Sequence, residues 1–197
     1  MSKKVKISLW IVGSLIIAGS LAYLAIFTLS TRAVSAFREQ AADQLNTAVS
    51  GEATGSIVEL RKVWFGGLLN SDYEKVSGLQ AEYEKLLSSV KGYVAVSNAH
   101  DALVENYNRG IKGDAPLSGD LLQSVEKYLA AMKNRFPDET DRITALENLS
   151  TKVASNTDFD VVSGDIDQLL HDNNPWLDEL REKLNQQITE FQDRVNK

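Results

Sequence analysis

Residues 7–29 read ISLWIVGSLIIAGSLAYLAIFTL, an uncharged apolar run set between Lys3, Lys4 and Lys6 on one side and Arg32 on the other. A helix of this length is about 35 Å long, enough to cross a hydrocarbon core of about 30 Å with some tilt. The run is therefore expected to contact membrane lipid along residues 7–29. The three lysines and the amino terminus outweigh Arg32 and Arg38, which are diluted by Glu39 and Asp43. The positive-inside rule then places the N-terminus in the cytoplasm and the rest of the chain outside, in a single-pass cell-membrane protein. The rival reading is a cleaved signal peptide with Val34-Ser35-Ala36 near its end. A signal core usually spans about 7–15 residues, shorter than this run.

Within the run, Ser14, Ala18 and Ala22 recur at every fourth position. They form a stripe of small residues along which a second helix can approach closely, and which permits a homo-oligomer. Gly, Ala and Ser are common in membrane helices, so the stripe is equally a feature of composition.

The chain has 197 residues, net charge −6 and no cysteine. With the three lysines before Ile7 set aside, the part after Leu29 holds 18 basic and 27 acidic residues, a net −9. Such a domain is repelled by nucleic acid and by anionic lipid surfaces, and no basic stripe with interleaved aromatics favours nucleic acid. Without cysteine there is no disulfide framework, thiolate metal site or cysteine nucleophile. A disulfide-free domain outside the cytoplasm suits a bacterial envelope protein.

Everything after Arg32 reads as helix, because no alternating strand pattern of useful length occurs. Phe37, Ala41, Leu45 and Ala48 share one face of a membrane-proximal helix. Residues 50–56, SGEATGS, break the pattern and mark a hinge. Ile57, Leu60 and Trp64 predict a short helix ended by Gly66-Gly67. Ser71-Asp72-Tyr73-Glu74 has the form of a capping box opening a long helix to about Arg109. On it Val76, Leu79, Tyr83, Leu86, Val90 and Tyr93 are spaced alternately by 3 and 4, a heptad seam with coiled-coil character. Ser97 and His100 interrupt the seam before Val104 and Tyr107 resume it.

A loop follows from Asn108 to Gly119. A helix over about Asp120–Arg135 turns Leu122, Val125, Leu129 and Met132 inward. The next opens at Pro137 and buries Ile143, Leu146, Leu149 and Val153. Two more are predicted over Asp158–Leu170 and from Asn174, with Pro175 at its first position, to about Val195.

The candidates for chemistry are few. His100-Asp101 and His171-Asp172 are sequence neighbours, but adjacent helical residues point about 100° apart and are not paired by adjacency alone. His100 reads as a polar seam residue and His171 as a histidine at a helix C-terminus. Asp158, Asp160, Asp165 and Asp167 form the densest acidic cluster. Against a calcium loop with Gly164 at its sixth position, Phe159, Val161 and Leu170 fall where oxygen ligands belong. Asp158 reads instead as a helix N-cap. No P-loop, HExxH or GxSxG is present. Residues 100–108 are similar to the Val-x-x-Tyr-Asn helix ending of LemA-type proteins, a likeness confined to that stretch that carries no site.

The expected architecture is all-α. A cytoplasmic tip and anchor cover residues 1–31, a membrane-proximal helix and hinge 32–56, and an extracytoplasmic bundle of about five or six helices 57–197. The expected function is non-enzymatic: a membrane-anchored envelope protein acting as a helical protein–protein interaction or scaffold module, without a cofactor. The alternatives are a ligand-binding or sensory bundle working through a membrane partner, and a secreted helical protein released by cleavage.

Overall fold

The structure, a computed structural model, describes residues 3–51, 57–113, 118–156 and 158–197, and the side chains of these except residues 3–13 and 118. All regular structure among them is helical: α1 (Lys3–Val49), α2 (Gly66–Leu69), α3 (Ser71–Ile111), α4 (Ser118–Arg135), α5 (Thr140–Ser155) and α6 (Phe159–Asn196). The chain forms two compact units. One comprises Met1–Asn46, Thr54–Lys85 and Glu190–Lys197, the other Thr47–Ala53 and Leu86–Thr189.

In the first unit α1 changes character along its length. From Ser14 to Leu29 its side chains are exposed, with Ile26 half-buried, although the segment is apolar. From Ser30 onward a face spaced by 3 and 4 is buried: Ser30, Ala33, Val34, Phe37, Ala41, Gln44 and Leu45. This is the amphipathic pattern of a helix packed on one side. Tyr83 of α3 is fully buried here, with its ring 5.6 Å edge-on from Phe37 and 6.0 Å from Phe191 of α6. Its hydroxyl donates to Gln44 Oε1. Residues 30–46 thus form one wall of a packed unit whose other walls are α3 and the end of α6.

The short helix predicted through Ile57, Leu60 and Trp64 does not form. Residues 57–63 are irregular, and Ile57 and Trp64 are exposed. The stretch is instead held by two side chains of α3. Gln80 accepts from Leu60 N–H at 3.0 Å and donates to the Val58 carbonyl at 3.2 Å, as a neighbouring strand would. The Tyr73 hydroxyl accepts from Val63 N–H at 3.0 Å and donates to the Arg61 carbonyl at 3.0 Å. These bonds satisfy backbone groups that a helix would otherwise have paired internally. The cap of α3 also differs from expectation. Asn70, not Ser71, is the capping residue: its Oδ1 accepts from Asp72 N–H at 3.0 Å and Tyr73 N–H at 3.3 Å. The hinge expected at residues 50–56 lies outside the described residues beyond Gly51, whose φ of +83° closes the turn after α1.

In the second unit the inward face of α4 is Leu121, Val125, Tyr128 and Met132, with Leu122 and Leu129 half-buried beside it. The face is centred one position before the predicted one because Tyr128, polar at its tip, is fully buried. α5 begins at Thr140 rather than Pro137. Phe136 N–H still bonds the Met132 carbonyl, Glu139 N–H closes a turn on the Phe136 carbonyl, and Pro137 sits inside that turn, where its fixed φ is favourable. Leu146, Leu149 and Val153 are buried on α5, and Ile143 is half-buried.

The two helices predicted over 158–195 are one, α6, with Pro175 in its interior. Ile166, Leu170, Asn173, Leu177 and Leu184 keep the buried stripe in phase across the proline. Pro175 has no N–H to give the His171 carbonyl, which weakens the helix there. The Arg142 guanidinium reaches the adjoining carbonyl of Asp172 at 3.1 Å and Asn173 Oδ1 at 2.6 Å, so this turn is bonded from outside. His171 accordingly lies within a helix and not at its end.

Candidate functional site

The most distinctive surface lies in the first unit, where α1 leaves its apolar run. Ser30 and Thr31 are the first residues after Leu29. Asn70 Nδ2 donates to Ser30 Oγ at 3.0 Å and to Thr31 Oγ1 at 3.2 Å. The N-terminus of α3 is thereby fixed level with the end of the run. From there α3 advances alongside α1 in the same direction, since Tyr83 meets Phe37 and Gln44. The segment 58–63 runs the opposite way along α3, from Gln80 back to Tyr73. Residues 64–69 are therefore the turn between the two, at the end of the unit next to the apolar run.

That turn presents apolar side chains to the outside. Trp64 is 86%, Phe65 65% and Leu68 80% exposed. Phe65 has φ +60°, a left-handed conformation uncommon for a bulky residue. Gly66 follows in a tight place: a Cβ there would lie 3.1 Å from the Tyr73 ring and 3.2 Å from Val63, so those side chains would have to give way by a few tenths of an ångström. Leu69 N–H bonds the Phe65 carbonyl and Asn70 N–H the Gly66 carbonyl, so the tip is one closed helical turn. Arg61 and Lys62 are exposed just before it, and Arg32 is exposed on α1. The helical spacing of Ile57, Leu60 and Trp64 conceals this tip in the sequence, because it implies a regular helix where the chain reverses. The available signal was the adjacency of Arg61-Lys62, Trp64-Phe65 and Gly66-Gly67.

The other predicted residues are distributed as follows. Ser14, Ala18 and Ala22 are exposed along the apolar part of α1. Of the seam, Val76 and Tyr83 are buried and Leu79 half-buried in the first unit, while Leu86, Val90 and Tyr93 are buried in the second. His100 is buried, with its ring 5.7 Å edge-on from Tyr128. Its Nδ1 lies 3.5 Å from the carboxylate of the exposed Asp101, at the outer limit of a hydrogen bond. His100 Nε2 and the Tyr128 hydroxyl are buried without a hydrogen-bond partner. Burial pushes the His100 imidazole below its ordinary pKa, opposed in part by Asp101, and raises that of Tyr128. Both rings are therefore held neutral.

The acidic cluster is not one site. Asp158 Oδ1 caps α6 by accepting from Asp160 N–H at 3.1 Å, and Asp165 pairs with Lys152 of α5. Asp167 lies beside Tyr107, whose pKa is raised first by burial and then by that carboxylate. Among the described residues no group of three or more His, Asp or Glu side chains is placed to hold a metal.

Two concave surfaces among the described residues are open grooves. One in the first unit is lined by Ser35, Arg38, Glu39 and Ala42 of α1 with Phe191, Gln192, Val195 and Asn196 of α6. One in the second unit runs between Ala145, Asn148, Leu149 and Lys152 of α5 and Asp165, Gln168, Leu169 and Asp172 of α6. No protein-family model, curated protein or solved structure matches the chain.

Proposed function

We propose that this is a single-pass membrane protein whose N-terminus is cytoplasmic. Its helical units stand outside the cytoplasm and act as a non-enzymatic interaction or scaffold module. The observation that carries the anchoring is the contrast within α1. An apolar helix in the core of a water-soluble protein is mostly buried, whereas the apolar window of α1 is 6% buried. So much exposed apolar surface is unfavourable in water and favourable in lipid. The helix continues directly into the packed wall at residues 30–46, so folded domain and anchor are one element. The grooves support binding of other proteins over capture of a small molecule. They are open and partly polar, unlike the enclosed apolar pockets that hold small ligands.

Two measurements test this reading. The chain should stay in the membrane fraction after alkaline carbonate extraction, and protease added to intact cells or spheroplasts should digest a C-terminal tag. Extraction by alkali would refute the anchor, and digestion only after lysis would refute the orientation. Crosslinking in the native membrane should then join the outer units to defined protein partners; a protein that crosslinks to nothing would speak against a scaffold.

A further inference from the structure

We propose that the Trp64–Leu69 turn is a second membrane contact, inserting Trp64, Phe65 and Leu68 into the interfacial layer of the same bilayer that α1 crosses. The inference rests on α1 spanning that bilayer, and it adds a lipid-binding surface to the folded part of the chain.

Three observations carry it. The first is level. The Asn70 amide bonds Ser30 and Thr31, the residues that follow the apolar run, so the turn sits where α1 leaves hydrocarbon. The second is direction. Residues 58–63 descend along α3, the chain reverses at 64–69, and α3 climbs away beside α1 from Ser30 toward Gln44. The reversal is thus the membrane-side end of the first unit. The third is chemistry. Trp64, Phe65 and Leu68 are among the most exposed large apolar residues described, and Phe65 stands outward at a left-handed φ of +60°. Aromatic rings, tryptophan above all, are favoured at the headgroup–acyl boundary, where one edge meets hydrocarbon and the other water. Arg61 and Lys62, just before the tip, and Arg32, which follows the Thr31 bonded by Asn70, are exposed local cations that suit anionic lipid phosphates. A contact of this kind, offset from the α1 axis, would fix how the outer unit is tilted and rotated over the bilayer.

The chain has no cysteine, so single labelling sites can be introduced. Leu24→Cys, on the exposed apolar part of α1, and Leu68→Cys, at the tip, would each carry a nitroxide in the full chain. The chain is reconstituted in vesicles of phosphatidylcholine with phosphatidylglycerol. Collisions with oxygen, which concentrates in lipid, are compared with those of a water-soluble nickel chelate. The expected result is strong preference for oxygen at position 24 and a smaller but clear preference at position 68. Replacing Trp64 and Phe65 by Ser in the Leu68→Cys chain should move that label toward water. A lipid-exposed label at 24 with a water-exposed label at 68 would overturn the inference and leave the anchor standing. A label at 68 shielded from both reagents would mean that protein, not lipid, covers the tip, and would also overturn it. A water-exposed label at 24 would overturn the spanning reading and the inference with it.

Discussion

Asn70 Nδ2 donates to Ser30 Oγ at 3.0 Å, joining residues forty positions apart in the sequence. The same side chain caps α3 through Oδ1, and the Ser30 hydroxyl itself donates to the Phe27 carbonyl at 2.9 Å. One buried amide thus uses both ends, one to start a helix and the other to tie that helix to the end of the apolar run.

Asn70→Ala is expected to remove both roles. Loss of an N-cap costs about 1 kcal/mol, and loss of the donors to the buried Ser30 adds roughly 1 kcal/mol more. Asn70→Asp keeps the cap and loses the tie, so it should fall between the two. Denaturant unfolding of the reconstituted chain measures this order. Equal stability of Asp and Ala variants would show that the tie, and not the cap, dominates.

Tyr83 links α1, α3 and α6 within the first unit. Tyr83→Phe should cost about 1 kcal/mol, because the buried hydrogen bond to Gln44 is lost while the ring packing with Phe37 and Phe191 survives. Tyr83→Ala should cost about 3–5 kcal/mol by leaving a cavity. For the same reason a fragment starting at Ser30 should melt at a higher temperature than one starting at Ile57, which lacks Phe37, Ala41 and Leu45. Circular dichroism melts of the two fragments decide the point.

His100 predicts a pH dependence. Its folded-state pKa lies below the ordinary value of about 6.5, chiefly through burial. The unfolded chain then binds the proton more readily, so the stability tied to neutral His100 is present above about pH 6.5 and is lost as pH falls below it. His100→Leu should be neutral or stabilising near neutral pH, since Nε2 is buried without a partner. It should also flatten the decline in stability toward about pH 5, measured by urea unfolding across that range. Tyr128→Phe should likewise be tolerated.

Arg142 supports α6 where Pro175 breaks its bonding. Its guanidinium serves the Asp172 carbonyl, Asn173 and Glu139, and lies 4.9 Å from the centre of the Trp176 ring. Arg142→Ala should destabilise by roughly 1–3 kcal/mol, and Arg142→Lys should recover only part of this because an ammonium lacks the planar fork. In a Pro175→Ala background the Arg142→Ala cost should shrink, since the helix regains its own donor. A double-mutant cycle on thermal unfolding reads that coupling.

The sequence by itself determined the long apolar start of α1, the helical nature of most of the rest, and the buried Val76, Tyr83, Leu86, Val90 and Tyr93 on α3 and Leu146, Leu149 and Val153 on α5; Val104 and Tyr107, expected to resume the seam, are half-buried, and Leu103 takes the buried place. The features so determined are properties of one helix at a time: an uncharged run of sufficient length, or apolar residues returning every 3 or 4 positions, has the same meaning whatever it packs against. Tertiary structure decided what depends on a distant partner. Residues 57–63 stay irregular because Gln80 and Tyr73 satisfy their backbone. Asn70 displaces Ser71 as the cap because its amide also finds Ser30 and Thr31. α6 passes through Pro175 because its buried stripe stays in phase and Arg142 bonds the weakened turn. Trp64, expected in a short helix by its spacing from Leu60, stands in an exposed turn because the chain reverses there. Local periodicity carries no information about which residues ten to forty positions away supply the missing hydrogen bonds, and at these sites those bonds chose the backbone.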